Sequence, residues 1–210
     1  MTAELARIAP DDVDAIAVGA VADQLEGEGV DWGFLAANGF VAKPGDVRAL
    51  PGPDGRTVYV VGLGKAADVT ADTLRHAAGS VARAAKHQSS IAVDLLGHLG
   101  EGASVPRAAQ AIVEGLVLGG YKYGAFKSEP KLSKLERLVV VGGGGQRVQT
   151  AIDRGLALAE TVCWVRDLEN EPGGSLTPTR LAQIAAKVGE TDGFEVTVWD
   201  KDDIRKEKLG

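Results

Sequence analysis

The stretch TVYVVGLGKAADVTADTLRHAAGSVARAAK, residues 57–86, contains both kinds of element from which an α/β fold is built. Thr57–Gly62 is a run of β-branched and aromatic residues, which is typical of a buried strand. Thr70 can cap a helix over residues 71–86, where apolar side chains recur at helical spacing: Leu74, Ala78, Val81 and Ala85. Gly79 costs that helix about 1 kcal/mol relative to Ala, so we expect a close packing partner there.

Towards the amino terminus, the sequence predicts a strand, a short helix and a hairpin. Val13–Val21 is apolar after a polar start, and Asp31–Asn38 is a short helical pattern that Gly39 ends. Asp46–Leu50 precedes the quoted stretch, with the turn formers of residues 51–55 between them. This spacing predicts a β-hairpin.

Towards the carboxyl terminus, strands and helices continue to alternate. The predicted strands are Ser90–Leu95, Leu135–Val141 and Glu195–Trp199. The predicted helices are one capped by Ser104 with Pro106 in its first turn, one from about Gln149 to Asp167, one capped by Thr177 that ends at Gly189, and one from Asp202 to Lys208. Such alternation predicts a mixed, mostly parallel sheet sandwiched by helices.

Composition limits the classes of function. The net charge of -6 and the pI near 5.1 argue against a nucleic-acid surface as the main function, because phosphate binding needs clustered Lys and Arg. Cys163 has no second cysteine with which to form a disulfide, and it falls in an apolar helical pattern. Since no signal peptide or membrane-spanning run is evident, we expect a cytoplasmic protein with no membrane partner.

Two glycine-rich turns resemble phosphate-binding loops. Gly62–Lys65 fails as a P-loop, because Tyr59 stands where the first glycine belongs and Ala66 replaces the Ser or Thr that holds magnesium. Gly142–Gly145 follows a strand and precedes a helix, but Arg147 and Val148 occupy the possible third-glycine positions. Turn geometry is the preferred interpretation of both, and nucleotide binding at Gly142–Gly145 stays open.

No set of residues points to catalysis. His76, His87 and His98 fall on different elements, so no short motif joins them into a metal site. Asp202–Asp203 fits the favourable placement of acids at a helix start. The sequence therefore predicts no catalytic, cofactor-binding or metal-ligating residue in this chain.

Three segments resemble the leucyl aminopeptidase (cytosol aminopeptidase) family. VYVVGLGK at 58–65, followed by the alanine-rich helix, is similar to a strand and helix of that family. EGLVLGGY at 114–121, continued by Tyr123 and Phe126–Ser128, is similar to a second segment. GLALAE at 155–160, RDLENEP at 166–172 and LTP at 176–178 resemble the region where the family's linker helix enters the catalytic domain.

The resemblance implies an amino-terminal macro-like domain over residues 1–148, a linker helix over 149–170 and the truncated start of a metallopeptidase domain over 171–210. In the family, two divalent metals, manganese or zinc, are held by motifs that read like GKGITFDSGG and NTDAEGR, and neither occurs here. Lys65 lies in the wrong domain to take the family lysine's role. We therefore expect this chain to stop before the catalytic residues and to be inactive by itself.

The resemblance also implies a homo-oligomer, a hexamer at full length, in which this region acts as a scaffold. Peptide substrate would then need the missing catalytic domain. An alternative from another class is a freestanding macro-like module that binds ADP-ribose or a related nucleotide. DNA binding, which the resemblance also suggests, is opposed by the acidic net charge.

Overall fold

A computed structural model describes residues 1–27, 29–52 and 54–209. Its strands are β1 (Thr2–Ala6), β2 (Ala15–Val21), β3 (Val47–Pro51), β4 (Thr57–Gly64), β5 (Ser90–Asp94) and β6 (Arg137–Val141). Its helices are α1 (Trp32–Ala37), α2 (Ala71–Ala84), α3 (Val105–Gly120), α4 (Gly145–Asn170), α5 (Pro178–Asp192) and α6 (Lys201–Lys206). None of the helices in the described ranges is long and apolar enough to cross a membrane.

The six strands form one sheet in the order β1-β6-β5-β2-β4-β3. All neighbours pair in parallel except β3, which runs antiparallel to β4, with Ala49 opposite Tyr59. This architecture confirms the predicted mixed, mostly parallel α/β sheet. The predicted hairpin is confirmed as well, since β3 and β4 are its two strands.

Alternate residues of each strand face two different hydrophobic clusters. On β4, Tyr59 and Val61 belong to the large cluster that includes the buried faces of α2, α3 and α4, whereas Val58 and Val60 belong to a smaller cluster with Leu35 of α1. Helices α2, α3 and α4 therefore pack on one face of the sheet, and α1 packs on part of the opposite face.

The predicted close approach at Gly79 is confirmed. A Cβ atom placed on Gly119 of α3 would lie 2.5 Å from the Cα atom of Gly79, and one placed on Gly115 would lie 2.2 Å from the carbonyl oxygen of Arg75. Because such contacts are too short for any side chain, the glycines allow the backbones of α2 and α3 to touch.

Two features at the ends of the chain differ from the sequence-based expectation. Thr2–Ala6 forms an edge strand that the sequence analysis did not predict. The strand predicted at Glu195–Trp199 is wrong, since this segment has no regular structure. It lies in a second compact unit, Arg166–Gly210, whose regular elements among the described residues are the end of α4, α5 and α6. A strand needs a hydrogen-bonding neighbouring strand, which the described residues of this unit lack.

Candidate functional site

A cavity of about 730 Å³ lies in the first compact unit, at the carboxyl ends of β5 and β6. Its walls come from the end of β5, the turn after it, the start of α3 and the glycine loop before α4. The lining includes the charged or polar residues Arg7, Asp94, Ser104 and Arg147, together with Gly143 of the glycine loop. A volume in this range is typical of small-molecule sites, which lie preferentially at the carboxyl edge of parallel strands.

The glycine loop is shaped by close contacts. Gly142 and Gly144 have φ angles of 154° and 122°, which L side chains rarely adopt. A Cβ atom on Gly144 would lie 2.2 Å from Cγ2 of Val148, whereas one on Gly143 would have no neighbour within 4 Å. The loop therefore needs glycine at positions 142 and 144, while position 143 leaves open space.

The cavity contains charges of both signs. Arg7 and Arg147 are exposed cations, and Asp94 adds a carboxyl group at the end of β5. Burial raises the pKa of Asp94, although the nearby His98 opposes this shift, and burial lowers the pKa of His98. A ligand with an anionic group and a hydrogen-bond donor would match these groups.

Of the residues that the sequence analysis considered and set aside as site residues, the structure brings only some to this cavity. Gly142–Gly144 and Arg147 line it, but Lys65 and His76 line a separate cavity of about 760 Å³ beside α2. Asp94 and Arg7 were missed by the sequence analysis. The one available signal was the position of Asp94 at the end of a predicted parallel strand.

The other candidates do not line this cavity. His87 follows the end of α2, while His98 ends a short turn of 3-10 helix and packs against Gly19. Cys163 packs against the main hydrophobic cluster from α4. Asp202 and Asp203 lie in the first turn of α6, which confirms their interpretation as helix-start residues.

Divalent metals have no visible site in the described ranges. No group of three or more His, Cys, Asp or Glu side chains gathers within residues 1–27, 29–52 and 54–209. Since a two-metal centre needs several such ligands, these residues do not fit one.

Comparison with known proteins shows the family. The profile described as "Cytosol aminopeptidase family, N-terminal domain" matches residues 21–130, which is more than half of the chain. A "Probable cytosol aminopeptidase" of Clostridium perfringens is 34% identical over 158 residues, which cover 72% of this chain and 32% of that protein.

Two solved structures have similar folds. A tomato leucine aminopeptidase mutant superposes with a TM-score of 0.87 at 26% identity, over 100% of this chain and 46% of its own. The bottromycin maturation enzyme BotP in complex with Mn gives a TM-score of 0.78 at 34% identity, over 92% of this chain and 40% of its own. This chain thus spans between about a third and a half of the length of these proteins, and it belongs to the cytosol aminopeptidase family, whose N-terminal domain it contains.

Proposed function

We propose that this chain is the amino-terminal part of a leucyl aminopeptidase that, at full length, removes N-terminal amino acids from peptides with two divalent metal ions, manganese or zinc. The observation that carries the proposal is the likeness to the tomato leucine aminopeptidase, which extends over the whole chain. The manganese complex of BotP supports the metal requirement. The cytosolic name of the curated relative supports a cytoplasmic location.

Within that enzyme, the proposed role of this chain is that of a scaffold and oligomerisation region. Residues 1–148 would form the amino-terminal domain, residues 149–170 the linker helix and residues 171–210 the start of the catalytic domain. The proposed assembly is a homo-oligomer, a hexamer for the full-length protein. We expect neither a DNA nor a membrane partner, in view of the net charge of -6.

The absence of a metal-ligand group among the described residues supports the proposal that the chain alone is inactive. The test is hydrolysis of leucyl p-nitroanilide by the purified chain, with manganese or zinc added. We expect no turnover above the buffer blank. Turnover that copurifies with the chain through several columns, and that a chelator abolishes, would contradict the scaffold role.

A second candidate function is the binding of ADP-ribose or a related nucleotide at Gly142–Gly145, and the cavity of about 730 Å³ beside this loop favours it. Backbone amides at a strand-to-helix turn can bind phosphate, and Arg7 and Arg147 add positive charge. Calorimetric titration with ADP-ribose tests the idea. A Gly143→Asp variant should lose the heat of binding, and Gly100→Asp, at an equally open position, should keep it.

A further inference from the structure

Two exposed surfaces of the first compact unit carry opposite charge. The first, here called the basic loop, is residues 121–134 between α3 and β6, which contain four Lys and one Glu. The second, here called the acidic lobe, is residues 22–27 and 29–41 around α1, where Asp23, Glu26 and Asp31 are exposed. Residues 22–42 contain four Asp or Glu and no Lys or Arg.

Each surface also exposes large apolar side chains beside its charges. In the basic loop, Phe126 is 60% exposed and Leu132 is 49% exposed, and the ring of Phe126 lies 6.1 Å from that of Tyr123. In the acidic lobe, Phe34 is 53% exposed and Val41 is 66% exposed. Apolar side chains rimmed by charge are typical of protein interaction surfaces.

The two surfaces lie at opposite ends of the sheet and cannot meet within one chain. The acidic lobe follows the carboxyl end of β2, whereas the basic loop leads into the amino end of β6. β2 and β6 run in the same direction, because both pair in parallel with β5. A contact between basic loop and acidic lobe must therefore join two molecules.

The charges of the basic loop are available for such a contact. Lys122, Lys127, Lys131 and Lys134 are exposed, and none of them forms an ion pair within the described part of the chain. A long polyanion would approach a molecule of net charge -6, whereas a second copy offers an acidic surface. Charge complementarity of this kind steers association and fixes orientation.

We infer that the basic loop docks on the acidic lobe of a second copy of this chain, in a head-to-tail contact that can close into a ring. The inference rests on the proposed homo-oligomer and adds the pair of surfaces that would hold it together. A head-to-tail contact uses two different surfaces of each subunit, and a closed ring forms when the rotation between subunits permits it.

Sedimentation velocity of the 210-residue chain at about 10–100 μM tests the inference, in about 50 and 500 mM salt, since salt screens exposed charges. We expect association at low salt and a return towards the monomer mass of 21.7 kDa at high salt. The variants Lys127→Glu/Lys131→Glu and Asp23→Lys/Glu26→Lys should each remain monomeric. The control Lys201→Glu/Lys208→Glu makes the same charge change as the first variant outside both surfaces and should behave as the parent.

The decisive part of the experiment is to mix the two charge-reversed variants. Each reversed surface then meets its complement on the other variant, so association should return in the mixture. Thermal unfolding of each variant verifies that it is folded. Association that persists in both variants overturns this pair of surfaces while leaving a homo-oligomer in place. A parent chain that stays monomeric at low salt contradicts both the docking contact and the proposed role of this chain as an oligomerisation region.

Discussion

The side chain of Gln149 on α4 hydrogen-bonds the edge strand β1 in place of a neighbouring strand. The N–H of Leu5 donates to Oε1 of Gln149 at 2.8 Å, and Nε2 of Gln149 donates to the carbonyl oxygen of Ala3 at 3.3 Å. One amide side chain thus pairs backbone groups of β1 that face away from β6. The exposed edge of a strand can pair with another chain, and the hydrogen bonds of Gln149 cover the free edge of β1.

Replacing Gln149 by Ala should loosen β1. Two backbone groups would lose their partners, at a cost of about 1–2 kcal/mol in the free energy of unfolding. Amide exchange should accelerate at Leu5 and remain unchanged at Val140 of β6. The control is Gln146→Ala, an exposed position on the same helix, and equal effects of the two variants would contradict the role of Gln149.

The backbone contact between α2 and α3 predicts a strong difference between two glycines of one helix. Gly115→Ala would place Cβ 2.2 Å from the carbonyl oxygen of Arg75, so the helices must separate, at about 1–3 kcal/mol or more. At Gly120 the nearest atom is 3.6 Å away, and Ala should be tolerated. Chemical denaturation measures both variants, and a tolerated Gly115→Ala would show that the helices pack less closely.

Asp14 should stabilise the fold at neutral pH. Its Oδ2 atom accepts hydrogen bonds from the hydroxyl of Ser89 at 2.6 Å and from the N–H groups of Ser89 and Ser90 at 2.8 and 3.0 Å. These hydrogen bonds, the Ser89 hydroxyl first, lower the pKa of Asp14 below its ordinary value. The stabilisation is therefore present above the unfolded pKa and is lost as the pH falls through the lower folded pKa.

The Asp14→Asn variant should lose on the order of 1 kcal/mol of unfolding free energy at pH 7, because the site is exposed and solvent weakens the contacts. The difference in unfolding free energy should shrink in acid, where the carboxyl group of the parent is protonated and, like Asn, carries no charge. Asp11→Asn, nearby and also exposed, is the control. A deficit that stays constant from pH 7 to pH 3 would rule out the charged hydrogen bonds as its cause.

Asp94 should destabilise the fold at neutral pH, in contrast to Asp14. The Asp94 side chain is exposed, but partial desolvation of its carboxyl group raises its pKa, so the charged form is disfavoured in the folded state. The fold therefore loses some stability as the pH rises through the window between the unfolded and folded pKa values. Asp94→Asn should therefore raise the melting temperature at pH 7 and leave it unchanged near pH 3. Glu101→Gln, at another exposed position, is the control with the same charge change. A lower melting temperature for Asp94→Asn at pH 7 would contradict the sign.

Much of the fold was predictable where local signals agree with tertiary packing. Thr70 caps α2 as predicted, in a reciprocal capping box with Thr73. β1 was missed because Thr2 and Glu4 are exposed and its position depends on β6 and Gln149, which are distant in sequence. The pattern at Glu195–Trp199 suggested a strand, but a pattern without a neighbouring strand is insufficient.

The candidate cavity was predictable only in part. Gly142–Gly145 could be recognised because strand, glycines and helix are consecutive in sequence. Arg7 and Asp94 reach the same cavity through the order of strands in the sheet, since β1 and β5 both pair with β6. Such an arrangement has no local signature, and so the charged residues around the loop required the structure.

The central claim is that this chain serves as the amino-terminal region of a cytosol aminopeptidase. A chimera tests it most directly, in which this chain replaces the aligned amino-terminal region of the Clostridium perfringens relative, which is 34% identical. We predict that kcat/KM for leucyl p-nitroanilide stays within about tenfold of the parent enzyme, equivalent to about 1.4 kcal/mol of transition-state stabilisation. A chimera that folds and assembles like the parent but shows no metal-dependent turnover would contradict the claim.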